Sequence, residues 1–209
     1  MALFSDRNDA AEKLSAELMS YKGRFPLIIA IPRGAVPMGE IIASRLSGEL
    51  DIVLVRKIGA PGNPEFAIGS VDESGWTHLS GEPGSSPSYI TMERNRQLAI
   101  IKDRRRLYTP FSKPIDRSGR IVIVVDDGLA TGATMIAALH SILESHPSRL
   151  IVAIPVAARD ALEKVREWAD EVVCLSAPQD FGSVGQFYDA FPQVTDSEVC
   201  EIMGRTKKH

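Results

Sequence analysis

Five short apolar runs punctuate the chain at wide spacing: Leu27–Ile31, Ile52–Val55, Ile121–Val125, Leu150–Ile154 and Val172–Leu175. They are rich in Val and Ile and carry no polar interruptions. Unbroken runs of this kind suit strands covered on both faces, whereas a half-exposed strand alternates. Helical stripes lie between them. Ala11, Leu14 and Leu18 share one face of a helix over Asp9–Tyr21, with Asp6 or Asn8 placed to cap it. Met38, Ile41, Ile42 and Arg45/Leu46 form a second stripe, with Pro37 near its first turn. Met135, Ile136, Leu139, Ile142 and Leu143 form a third. Alternating strands and helices predict an α/β fold, an open, mostly parallel sheet flanked by helices on both faces.

Two regions break the alternation. From Gly59 to Gly119 there is one short strand pattern, Phe66–Val71, then a Gly/Pro/Ser-rich stretch, Ser80–Ser88. A charged helical segment, Tyr89–Tyr108, follows. Its expected buried stripe is Leu98, Ile101 and Leu107, and its basic residues are expected on a solvated face. The second region begins at Ser176 and shows no strong period until Ser197–Met203. Long irregular segments inside a domain are usually functional or mobile loops, and Gly75–Ser88 is the stretch expected to move. The chain divides on this basis into a 1–175 core, including the loop near 75–88, and a 176–209 tail or hood of the same domain.

Composition narrows the function classes. A chain of 209 residues suits one domain. Its formal net charge of −3 does not mark a general binder of polyanions, so no nucleic-acid partner is expected. Cys174 and Cys200 are too few for a disulfide scaffold. No apolar run approaches the roughly 20 residues that span a bilayer, and the start, MALFSDRNDAAEKL, has no apolar signal core. The expectation is a cytoplasmic protein with no membrane partner. His78, His140, His146 and His209 lack metal-ligand spacing.

Chemistry concentrates in IVIVVDDGLATGAT, Ile121–Thr134. Asp126 and Asp127 stand together at the exit of an apolar run, where ligands of parallel sheets bind. Ala130, Thr131, Gly132, Ala133 and Thr134 then lead into a helix. Small residues let backbone N–H groups approach a ligand, and a helix start favours a phosphate. The acidic pair would repel that phosphate and must face vicinal hydroxyls or a metal instead. A ribose 5-phosphate meets both demands. A Walker loop is excluded because GK[ST] is absent, and a dinucleotide fingerprint because GxGxxG is absent.

VVDDGLATGAT resembles the phosphoribosylpyrophosphate (PRPP) motif of the type I phosphoribosyltransferases. AIPRGAVPMG, Ala30–Gly39, is similar to that family's pyrophosphate loop. VLVRKIGAPGNPE, Val53–Glu65, resembles the basic segment of its adenine-type members, and VGQFYDAFPQV is similar to the tail of members with unassigned acceptors. The resemblance implies that Asp126 and Asp127 hold the ribose hydroxyls and Ala130–Thr134 the 5-phosphate. Arg33, Gly34, Arg56 and Lys57 would grip pyrophosphate, with a cis peptide between Pro32 and Arg33. It implies Mg2+ held mainly by PRPP rather than by the protein, and a small-molecule acceptor; a homo-oligomer is compatible with it. Asp126, Asp127 and Arg33 would carry catalysis. Ala130 stands where six-oxopurine enzymes carry an Asp. An acceptor base would then come from Asp72 or Glu73, and the tail aromatics Phe187 and Tyr188 would hold the acceptor. The aromatic cluster Phe181, Phe187, Tyr188 and Phe191 has a second reading, in which at least two of the rings pin the tail to the core. Three functions remain open at this point: transfer of phosphoribose to an unidentified acceptor, a PRPP- or nucleotide-sensing regulator, or a hydrolase or phosphorylase of phosphorylated ribose compounds.

Overall fold

A computed structural model describes residues 2–79, 85–110 and 114–206. Its centre is a five-stranded parallel sheet in the order β2 (Glu49–Ile52), β1 (Leu27–Ala30), β6 (Ile121–Val125), β7 (Arg149–Val156) and β8 (Glu171–Ser176). Strand alternation serves two cores. Ile28, Ile123, Val125 and Ile151 face one, with α1 (Arg7–Glu17), α2 (Ala35–Leu46) and α6 (Asp196–Thr206). Leu27, Ile29, Val122, Val124 and Val152 face the other, with α4 (Ala133–Leu143) and α5 (Arg159–Arg166). Both faces are apolar because both are covered, which is why these strands read as unbroken runs.

The three helical stripes appear as α1, α2 and α4 with boundaries moved by a few residues. Asp6 is the α1 cap, accepting from the Asp9 N–H at 2.9 Å. A separate 3-10 turn, Met19–Tyr21, takes the end of the expected first helix. The short α5 shows little in sequence because its buried face is only Ala161, Leu162 and Val165.

Between β2 and β6 the structure departs from expectation. The run Ile52–Val55 is not one strand. It spans the end of β2 and the start of β3 (Val55–Ala60), which leaves the main sheet to pair antiparallel with β4 (Asn63–Asp72) and through it β5 (Thr77–Leu79). A second, three-stranded sheet therefore stands where one short strand was expected. Of the loop expected over 75–88, residues 80–84 lie outside the described residues. On its flanks Thr77–Leu79 pair as β5 and Pro87 opens α3 (Pro87–Tyr108). The α3 stripe also differs from expectation. Ile101 is buried and Leu98 half-buried, but Leu107 is half exposed, and Glu93, Gln97 and Tyr108 complete the buried face. Polar residues are tolerated there because they bond one another: Gln97 Nε2 donates to Glu93 Oε1 at 2.6 Å.

The tail is anchored to the α1/α2 core. Phe187 and Tyr188 are buried, with Tyr188 against Phe4 at 5.3 Å and Phe191 at 4.7 Å between ring centroids. Among the described residues no helix is long and apolar enough to cross a membrane.

Candidate active site

From the two central strands the chain departs in opposite directions. β1 leads through α2 to β2 on one side, and β6 leads through α4 to β7 on the other. The loops after β1 and β6 diverge at this switch point and leave a crevice at the carboxyl ends of the strands. Ile31–Gly34 and Asp126–Gly132 form its walls.

Asp126 opens the second wall. With Lys57, the loop Gly128–Gly132, Thr134, Met135 and Val184 it lines a cavity of about 210 Å³. Gly132 adopts φ 81°, a left-handed conformation that admits Gly without strain, and this turn starts α4. The first turn of a helix has no internal partners for its N–H groups, so this wall offers donors and the positive dipole end. Lys57 adds a cation, exposed and free of any ion pair among the described residues. Larger cavities of about 380, 400 and 540 Å³ carry neither member of the acidic pair, although the last shares Thr131 with this wall.

The two aspartates have different surroundings. Asp126 Oδ1 accepts from the Asp127 N–H at 2.9 Å, and the residue lines the cavity. Burial, reinforced by Asp127, pushes its pKa well above the usual carboxylate range, and Lys57 and Arg7 offset this only in part. Asp127 is engaged by Arg7, whose Nε and Nη2 lie 2.9 and 2.8 Å from Oδ2. Burial still raises the Asp127 pKa against that cation. Arg7 is itself fixed by Pro192 O at 2.6 Å and by stacking 3.7 Å from the Phe191 ring centroid. A Cβ on Gly34 would collide with the Asp127 carboxylate, so glycine there lets the first loop close onto the second. The Pro32–Arg33 peptide is cis.

The remaining candidates divide between the crevice and elsewhere. On β3, Lys57 faces the Asp126 cavity while its neighbour Arg56 turns towards α3 and donates to Gln97 Oε1 at 2.9 Å. Arg33 Nη1 lies 3.5 Å from Asp196 Oδ1. Asp72 and Glu73, offered as acceptor bases, do not line the cavity. Asp72 is fully buried, accepts from Ser74 Oγ and the Trp76 N–H, and faces His140 Nδ1 at 3.5 Å, with His140 stacked on Trp76 at 3.7 Å. Glu73 accepts from the Leu54 N–H and pairs with Arg105. Both carboxylates tie β4 to its neighbours, a use that strand position alone does not reveal. Phe187 is spent on packing. Tyr188 donates its hydroxyl to the Asp127 carbonyl at 2.7 Å, with burial and Asp127 both pushing the phenol pKa upward.

Two contributors have no sequence signature. Arg7 comes from a helix start 120 positions before its partner. Val184, in the 3-10 turn Val184–Phe187, packs so closely on the second loop that a Cβ on Gly128 would lie 2.5 Å from its Cγ1. Gly128→Ala is therefore expected to push this turn off the cavity. The overpacking should cost about 1–3 kcal/mol of stability, which urea denaturation of the variant beside the wild type measures.

The comparisons agree with this arrangement. The profile of the phosphoribosyl transferase domain matches residues 2–192. Two sequences from Mycobacterium tuberculosis, strains CDC 1551 and H37Rv, named "Putative phosphoribosyl transferase", are each 35% identical over the whole chain. The chain spans about half, 48%, of the length of these relatives. The crystal structure of TT1426 from Thermus thermophilus is 44% identical, covers 96% of this chain and 97% of its own, and superposes with a TM-score of 0.81. With the acidic pair, the small-residue helix start and the parallel sheet in place, the chain belongs to the phosphoribosyl transferase domain family and has the type I phosphoribosyltransferase fold.

Proposed function

We propose that this protein transfers the 5-phosphoribosyl group of PRPP to a small-molecule acceptor with release of pyrophosphate. The observation that carries the reading is the surroundings of Asp126. An acid held at raised pKa beside a phosphate-favouring helix start and an unpaired lysine is a poor arrangement for an empty protein. It suits a ligand bearing hydroxyls and phosphate together.

In this reading Thr131, Thr134 and the first-turn N–H groups of α4 hold the 5-phosphate. Asp126 accepts from the ribose hydroxyls, and Asp127 acts beside it with its position set by Arg7. Arg33, Gly34, Arg56 and Lys57 serve the pyrophosphate. Departure of pyrophosphate breaks the bond at the anomeric carbon and leaves positive charge on the ring. The charge that develops on the ring favours the ionised form of Asp126 and would be stabilised by it, while the cations would stabilise the leaving group. Preorganised charges of this sort are each worth on the order of 3 kcal/mol in the barrier. The acceptor approaches from the side walled by Val184.

Mg2+ fits this arrangement as an ion carried by the substrate. Among the described residues no group of three or more His, Cys, Asp or Glu side chains is placed to hold a metal. Mg2+ retains waters and takes phosphate oxygens readily. Bound to PRPP it would neutralise charge on the leaving group, with Asp126 the carboxylate on the cavity wall nearest to it in role.

Titration calorimetry with PRPP and Mg2+ tests the binding half. Micromolar binding that is lost in Asp126→Asn/Asp127→Asn supports the assignment, and undiminished binding sinks it. Incubation with PRPP and each common base, following pyrophosphate release, tests the transfer half. Ala130 offers no carboxylate to a base, and a missing charge-assisted contact is worth roughly 1.5–3 kcal/mol. Hypoxanthine and guanine should therefore turn over ten- to a hundredfold more slowly than the true acceptor, by about that energy. Adenine is the first compound to try. Efficient conversion of hypoxanthine would overturn the argument from Ala130, and binding without turnover of any base would favour a regulator.

A further inference from the structure

Three arginines from three separate elements border the α3–Asp196 contact: Arg33 and Tyr108 both touch Asp196, Arg104 precedes Tyr108 by one turn, and Arg56 donates to Gln97 on the same helix. Arg33 follows β1, Arg56 lies on β3, and Arg104 lies on α3 one turn before Tyr108 and one turn after the buried Ile101. Arg104 is half-buried and makes no hydrogen bond or ion pair among the described residues. Among the described residues Arg56 is bonded only to the neutral Gln97. The arginines repel one another: burial, and then Arg104 followed by Arg33, lowers the Arg56 pKa.

Among the described residues the carboxylate in contact with Arg33 is Asp196, at the start of α6. Its contact with Arg33 is 3.5 Å, longer than the roughly 2.7–2.9 Å of a charge-assisted hydrogen bond. Its firm contact is instead with the Tyr108 hydroxyl, which donates to Oδ1. Asp196 is also not the cap of its own helix. The cap of α6 is Thr195, whose Oγ1 accepts from the Glu198 N–H at 3.2 Å while Glu198 Oε2 returns to the Thr195 N–H at 2.6 Å. The cluster thus keeps an excess of positive charge and a partly exposed acid whose hold on Arg33 is loose.

We propose that Asp196 is an internal counter-ion that holds Arg33 until pyrophosphate displaces it, and that Arg104 is an additional cation receiving that pyrophosphate. The inference rests on the phosphoribosyltransferase reading and extends it by one binding residue and one competing residue. A multiply charged group with several oxygens satisfies Arg33, Arg56 and Arg104 together, which a single carboxylate at 3.5 Å does not. Because Asp196 opens α6, occupation of the pyrophosphate site also breaks a contact between the first loop and the tail.

Calorimetry with inorganic pyrophosphate and, separately, ribose 5-phosphate tests this on the full chain. Asp196→Asn keeps an acceptor for Tyr108 and removes the charge. It should tighten pyrophosphate about three- to fivefold, the scale of a partly exposed ion pair. Arg104→Gln should weaken pyrophosphate by about tenfold, and Arg104→Lys by less, since a charge without the planar fork retains part of the attraction. Ribose 5-phosphate affinity should be unchanged in all three, which also shows that they fold. Unchanged or weaker pyrophosphate binding in Asp196→Asn, or unchanged binding in Arg104→Gln, overturns the inference while the wild type still binds both ligands. A wild type that binds neither ligand overturns the phosphoribosyltransferase reading itself.

Discussion

Asp126→Asn is expected to slow the proposed transfer and to raise the melting temperature at neutral pH. On that proposal the variant lacks the carboxylate that would meet the ring charge, a loss of about 10²–10³ in kcat for a group of this kind. The gain in stability follows from the direction of its pKa. Burial, then Asp127, raises the folded value above 3.8. The folded protein therefore holds this proton more tightly than the unfolded chain, and ionising the group works against folding. That penalty is absent below the unfolded value, grows between the two pKa values, and is complete above the folded one. Asparagine avoids it while keeping Oδ1 as acceptor for the Asp127 N–H. The direction of that shift fixes the sign of the change, a higher melting temperature for the variant. Calorimetric scans should show that gap at pH 7 and its closure as pH falls towards 4. A lower melting temperature at pH 7 would make Asp126 a structural residue rather than a functional one.

What could be read from sequence and what could not divide along physical lines. The parallel strands announced themselves because burial on both faces forces unbroken Val and Ile runs, as in Ile121–Val125. The Gly132 turn was legible because its residues are small and contiguous. β3 was hidden because Val55–Ala60 mixes Arg56 and Lys57 with apolar positions, and half-covered antiparallel strands leave a weak signal, so that only the Phe66–Val71 part of β4 was legible. The α3 stripe misled because Gln97 and Glu93 are buried as a bonded pair, which a hydrophobic pattern counts as exposed. Asp72 and Glu73 carry the right chemistry for a base, yet the fold uses each of them to satisfy backbone donors. Arg7 and Asp196 belong to no local motif. Their partners are 120 and 163 positions away along the chain, Asp127 and Arg33, and no sequence period encodes such a contact.

Arg7→Ala should be the most destabilising single change around the crevice that leaves every cavity-lining residue in place. Arg7 and Asp127 keep only 11% and 18% of their side-chain surfaces exposed, so solvent screens the pair weakly. Removing the cation leaves Asp127 beside Asp126 with no counter-ion, and breaking a buried pair from one side costs about 3–5 kcal/mol. The residual exposure places the expectation near the lower end, about 3 kcal/mol. The stacking on Phe191 and the bond to the Pro192 carbonyl go with it, so the tail loosens as well. Asp127→Asn should cost less, because the guanidinium retains both of those tail contacts. The double variant should recover part of the Arg7→Ala loss, with a coupling energy of about 1–2 kcal/mol, within the range for residues in direct contact. Urea denaturation of the four proteins at pH 7 measures the cycle. The pH dependence gives an independent check with a definite sign. Burial already raises the Asp127 pKa in the presence of Arg7, and removing that cation raises it further. A protonated Asp127 needs no counter-ion, so the deficit of Arg7→Ala should shrink as pH falls from 7 towards the unfolded value near 3.8. A deficit that stays constant over that interval would mean that Arg7 acts through its packing on Phe191 alone.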